Sequence, residues 1–168
     1  MDAWPRILVH LDASPQAEQR LQIARRLAQG PQAVVTAMPV LQPAWVGVPA
    51  VGLGADAAAA AIMAEADLAR NRQARQAFDQ AATQPGTPMV WLDRPGYDNT
   101  RRFIEQSWFH DLTVLSQVHP DDTAYWGVTA GFAPEIAVSS GRPVLLLPRF
   151  TPSTVQCKRV VVAWKPSR

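Results

Sequence analysis

Groups able to do chemistry gather at three places in this chain. The first is the end of a short apolar run, Ile7-Leu8-Val9-His10-Leu11-Asp12-Ala13-Ser14. An imidazole, a carboxylate and a hydroxyl so close together invite a hydrolytic reading. However, His10, Asp12 and Ser14 are two residues apart. Such residues on a strand point the same way and cannot pass a proton along a nucleophile–base–acid chain without added geometry. His10, inside the apolar run, therefore reads as a core histidine. Asp12 ends the run and reads either as a turn residue or as a ligand-binding one. The second place is His119, Asp121 and Asp122, all in one short stretch. A metal site also needs ligands from elsewhere, so this group reads as a solvated acidic turn. The third is Gly127 and Gly131, which precede a helix expected from about Ala133. Glycine lets backbone N–H groups approach a phosphate, and a helix N-terminus favours anions. No lysine follows such a glycine run, so there is no P-loop.

Other groups read blandly. Cys157 is the only cysteine, so it cannot form an internal disulfide, and no CxxC or basic cluster surrounds it. Arg70, Arg72 and Arg75 alternate with Asp67 and Asp79 as on a solvated helix face. No catalytic residue and no metal site is expected.

These groups need a frame, and the hydropathy pattern supplies one. Ile7 to Leu11 is the unbroken apolar run of a strand buried on both faces. Ser14-Pro15 should open a helix, with Ser14 as cap, running to about Gln29. Its core face is Ala17, Leu21, Ala24 and Ala28, widened by Ile23 and Leu27. A second strand is predicted over 33–40 and a long alanine-rich helix from Asp56 to about Ala82. A third strand follows over 89–92. A third helix, capped by Asp98 or Thr100, runs to about Phe109, with Phe103, Ile104 and Trp108 able to face the core. A fourth strand over 112–115, a helix over 133–140 and a fifth strand over 144–147 complete the set. The stretch 43–56 mixes glycine and proline with Trp45, Val46, Val48, Val51 and Leu53, and reads as a lid, a partner contact or a surface loop. Strands alternating with helices imply an α/β doubly wound parallel sheet with helices on both faces. Ligands of such sheets sit beyond the carboxyl ends of the strands, where strand order reverses.

Length and composition bound the function. The 168 residues suit one domain with a sizeable core and are short for two. With 48% hydrophobic and 18% charged residues the chain is of the soluble globular class. A net charge of +2, with both signs scattered, leaves no nucleic-acid footprint, and the six tryptophans are too dispersed for a base-stacking platform. No basic region leads into an apolar run at the start, and no apolar run approaches about 18 residues, so neither secretion nor membrane spanning is expected.

Three pieces, in order, resemble the universal stress protein family: the 7–14 run, then Asp111-Leu112-Thr113-Val114-Leu115, then Ser140-Gly141-Arg142-Pro143-Val144-Leu145-Leu146-Leu147-Pro148. The resemblance covers residues 6–148. It implies a five-stranded parallel sheet of order 3-2-1-4-5, a cytoplasmic location, usual dimerisation and a link to stress responses. Some members bind ATP and others do not. The binders carry G-x2-G-x9-G-[S/T] after the fourth strand. Here Ser116 and His119 stand at the first two glycines, Gly127 and Gly131 come at other spacings, and Phe132 follows Gly131 in place of a hydroxyl residue. His119 and Phe132 would crowd a triphosphate. Asp12 matches the family's adenine-side aspartate, and Met38 roughly matches the position whose backbone touches adenine.

The resemblance therefore implies a module acting through dimerisation or partner binding, with weak or lost ATP binding and no cofactor. The alternative is ATP or AMP held by Asp12, Met38, Ser116, His119, Gly127, Gly131 and Phe132. A flavin-binding protein or another enzyme on a similar sheet is the third reading. A homodimer is expected through the edge strand at 144–147, with the strand at 160–164 as a further pairing element. That last strand belongs to a repeat of the opening pattern, Val160-Val161-Val162-Ala163-Trp164-Lys165-Pro166-Ser167, with Lys165 where the first copy has Asp12. This implies a stress-protein domain at 1–149, a linker at 150–158, and the first strand of a second, tandem copy at 159–168.

Overall fold

The computed structural model describes residues 5–41, 57–93, 99–118 and 127–148. The apolar loop at 43–56, the acidic group at 119–122, Cys157 and the repeat at 159–168 lie outside the described residues. Five strands, β1 (Arg6–Leu11), β2 (Val34–Pro39), β3 (Met89–Trp91), β4 (Leu112–Ser116) and β5 (Val144–Leu147), alternate with four helices. The helices are α1 (Ala17–Leu27), α2 (Ala57–Ala82), α3 (Asn99–Ser107) and α4 (Phe132–Ser139). All strand pairs are parallel, in the order β3-β2-β1-β4-β5. The fold class is the one the hydropathy pattern predicts, and the strand order is the one the resemblance implies.

The position of β1 follows from its composition. Ile7, Leu8, Val9 and Leu11 have no exposed surface, because β2 and β4 flank the strand and helices cover both of its faces. Alternation splits the core in two. Ile7, Val9 and Leu11 pack with Leu21 and Ala24 of α1 and with Phe78 and Ala81 of α2. Leu8 packs on the opposite face with Phe103 of α3 and with Phe132 and Ile136 of α4. A fully buried aliphatic side chain of this size contributes about 1.5–3 kcal/mol, so β1 holds both layers together. Arg25 fastens α1 to the end of α2: its guanidinium donates to the carbonyls of Ala81 (2.7 Å), in the last turn of the helix, and Gln84 (2.6 Å), just beyond it.

Three local expectations are corrected. α1 starts at Ala17, after a turn in which the Ala17 N–H bonds to the Ser14 carbonyl (3.1 Å), and no side chain caps it. Ser14 does not serve as the cap because its hydroxyl and its N–H both bond Asp12. The third helix stops at Ser107, not near Phe109. Tighter turns then follow, with Phe109 and His110 N–H groups bonding the Gln106 and Ser107 carbonyls (both 3.1 Å). Trp108, beyond the helical register, is consequently 50% exposed and not in the core.

Candidate functional site

The strand order reverses at β1 and β4, so the carboxyl ends of these strands border the crevice where a doubly wound sheet holds ligands. β1 delivers His10 and Asp12 there, β2 delivers Met38 and the backbone of Val40, and β4 ends at Ser116. The chain from Gly127 to Phe132 returns over the same end. Gly127 is buried with φ of +118°, a conformation that favours glycine, and a Cβ there would lie 2.3 Å from Leu41 Cδ2. The Leu41 carbonyl also accepts from the Asn99 side-chain amide at the start of α3 (3.2 Å). β2, α3 and the 127–132 segment thus converge on Leu41.

Inside this frame the polar groups are already engaged. Asp12 is 4% exposed. Its Oδ1 accepts from the Ser14 N–H (3.0 Å), from the Ser14 hydroxyl (2.5 Å) and from Arg20 Nη2. Burial alone would raise the carboxyl pKa. The adjacent Arg20 charge and the bonds from Ser14 and Arg20 outweigh it, and the pKa lies below its ordinary value. Arg20 is itself buried, and its Nε and Nη1 find no acceptor among the described residues. The opposite oxygen, Oδ2, lies 3.9 Å from His10 Nδ1, too far for a hydrogen bond.

His10 is a core histidine, as its place in the apolar run suggests. Its Nε2 lies 3.2 Å from the Val40 carbonyl, which can only accept. The ring therefore carries its proton on Nε2 and turns a lone pair on Nδ1 toward Asp12. Burial lowers its pKa from 6.5 to about 4, despite the opposing pull of Asp12. The neutral imidazole packs at 4.6 Å against the Phe132 ring and edge-on at 5.9 Å to Phe103, and those two rings are 5.6 Å apart. Phe132 is only 2% exposed. The residue that stands where the resemblance implies a phosphate-binding hydroxyl is thus a ring sealed into the core, with Met38, Val40 and Val128 in the same cluster.

The structure therefore brings His10, Met38 and Phe132 together in one packed cluster, with Asp12 beside His10. Ser116 is half-buried at the end of β4, and Gly131 is exposed just before α4 with an ordinary φ of −75°. His119 lies outside the described residues. Sequence reading missed Arg20, Val40 and Leu41. Arg20 had a visible signal: it sits on the Ala17–Ala24 face of α1, a basic residue at a core position eight residues after Asp12. Among the described residues no group of three His, Cys, Asp or Glu side chains could hold a metal ion, and no helix is long and apolar enough to cross a membrane.

No protein-family model matches the chain, and neither does any curated protein sequence. Solved structures do match. The universal stress protein UspA from Lactobacillus plantarum superposes with a TM-score of 0.51 at 18% identity, over 88% of this chain and 99% of that one. The fold of this chain is the fold of that stress protein. A hypothetical protein, MJ0577, matches with the same TM-score of 0.51 at 13% identity, over 90% of this chain and all of that one. At these identities the likeness carries the fold and stops there.

Proposed function

We propose that the chain is a universal-stress-protein module that works by association, its ancestral nucleotide crevice filled by its own side chains. The observation that carries this reading is the Phe132 ring, buried against His10 at the reversal point of the sheet. The commitment of Asp12 Oδ1 to Ser14 and Arg20 supports it. A nucleotide entering here would have to displace an aromatic cluster and break a buried ion pair, at a cost of several kcal/mol before it made any contact of its own.

Association has a surface available. In the β4–β5 ladder the Thr113 N–H bonds the Pro143 carbonyl and the Gln117 N–H bonds the Leu147 carbonyl. By parity the N–H and C=O groups of Val144 and Leu146 point outward, away from β4. Leu146 is 46% exposed and Val138 of α4 is also exposed. An apolar four-residue edge whose outward backbone groups have no partner strand among the described residues suits a two-fold pairing with a second copy. On this reading the protein is a cytoplasmic homodimer with a role in stress responses and no enzymatic activity of its own.

Calorimetric titration of the purified protein with ATP and with AMP tests the reading. It predicts no saturable heat up to millimolar nucleotide. Saturation at micromolar concentrations would overturn it and restore a site between Asp12 and the 116–132 segment.

A further inference from the structure

The opposite edge of the sheet carries a second, chemically different surface. β3 is only three residues long and pairs with β2 on one side. The Val35 N–H bonds the Pro88 carbonyl and the Leu92 N–H bonds the Ala37 carbonyl (3.0 and 2.8 Å). Pro88, Val90 and Leu92 therefore face β2, and the backbone N–H and C=O groups of Met89 and Trp91 face outward. No described element pairs with them.

Alongside this edge runs an open groove of about 570 Å³ between β3 and the outer stripe of α2. Its floor is Trp91, held edge-on against Phe78 at 5.3 Å, with the Arg75 guanidinium 5.0 Å from the Trp91 ring centre. Arg75 is also paired with Asp79 through Nε (3.0 and 3.2 Å). Arg72, one turn earlier on the same stripe, lines the groove and has no ion-pair partner among the described residues. On the other face of β3, Val90 is 49% exposed.

We propose that the outer edge of β3 receives an extended peptide segment as an added strand, with an acidic side chain in the groove at Arg72 and apolar side chains over Val90. Three observations converge on this chemistry. The N–H and C=O groups of Met89 and Trp91, unpaired among the described residues, offer a short ladder, the feature that strand addition uses. Alternation in an added strand would send every second side chain into the α2 groove and the others onto the Val90 face. Arg72, with no ion pair among the described residues, can receive one acidic side chain in that groove, whereas Asp93, also lining it, disfavours a second. The partner motif is therefore apolar–acidic–apolar in an extended conformation. This surface is independent of the β5 edge and of the nucleotide question.

The test is an acetylated octapeptide of valine alternating with threonine, its central threonine replaced by glutamate, added to the full chain. Amide hydrogen exchange is followed by NMR. We expect slowed exchange at Met89 and Trp91 only, and binding lost when the peptide is N-methylated at alternate amides. Arg72→Glu, an exposed change, and a lysine-for-glutamate peptide should each weaken binding about tenfold or more, the scale of a charge-assisted bond. Unchanged exchange at Met89 and Trp91 with millimolar peptide would overturn the proposal. So would protection at Val144 and Leu146 instead, or binding indifferent both to N-methylation and to Arg72→Glu.

Discussion

A carboxylate with almost no access to water must find its countercharge inside the protein, and Asp12 finds it in Arg20. Removing one partner of such a pair strands the other, at about 3–5 kcal/mol. Arg20→Met should therefore lower stability to urea by that amount, whereas Asp12→Asn combined with Arg20→Met should cost clearly less than Arg20→Met alone. Additive losses would show that the two side chains are not coupled. His10 makes a pH prediction. Its pKa is near 6.5 in the unfolded chain and about 4 when folded. Between those values the unfolded chain binds a proton that the native protein does not, so stability rises with pH. The contribution of His10 is complete above pH 6.5 and is lost as pH falls toward 4, a change of about 3 kcal/mol. His10→Gln keeps a donor for the Val40 carbonyl and should flatten the stability profile in that window. An unchanged profile would show that His10 is not a buried neutral base. At this scale the sequence was half legible. The apolar neighbours of His10 announced a core residue, whereas the pairing of Asp12 with Arg20 joins a strand end to a helix face and needed coordinates to see.

At the scale of elements, legibility followed periodicity. β1 was readable because a buried parallel strand leaves a continuous apolar run, β5 because its four residues are all apolar although only Leu147 is buried, and α1 because its small and aliphatic residues recur at helical spacing. Ends were harder. Ser14 looked like a cap, but Asp12 two residues earlier competes for the same hydroxyl, and that competition moves the helix start to Ala17. Trp108 looked like a core residue until the helix stopped one residue short of it. In the proposed function the element that matters for association is β5. Leu146→Lys places a charge on its exposed apolar edge without touching the buried face. By sedimentation, the unmodified protein should be a dimer and the variant mainly a monomer. A dimer unaffected by the substitution would move the interface elsewhere.

For the whole molecule, the order 3-2-1-4-5 brings the ends of β1, β2 and β4 to one place. The resemblance implies that Phe132 would crowd a triphosphate. In the fold it does more: its ring closes a cluster with His10, Phe103 and Met38. The sequence could not show this, because the contact depends on how the 127–132 segment returns over Leu41. One measurement tests the account most directly. The protein is purified without added nucleotide and denatured, and the released small molecules are identified by chromatography with mass detection. The account predicts no stoichiometric nucleotide and no flavin. One equivalent of ATP or AMP per chain would contradict it and place a working site beside Asp12, and a flavin would move the protein into another functional class.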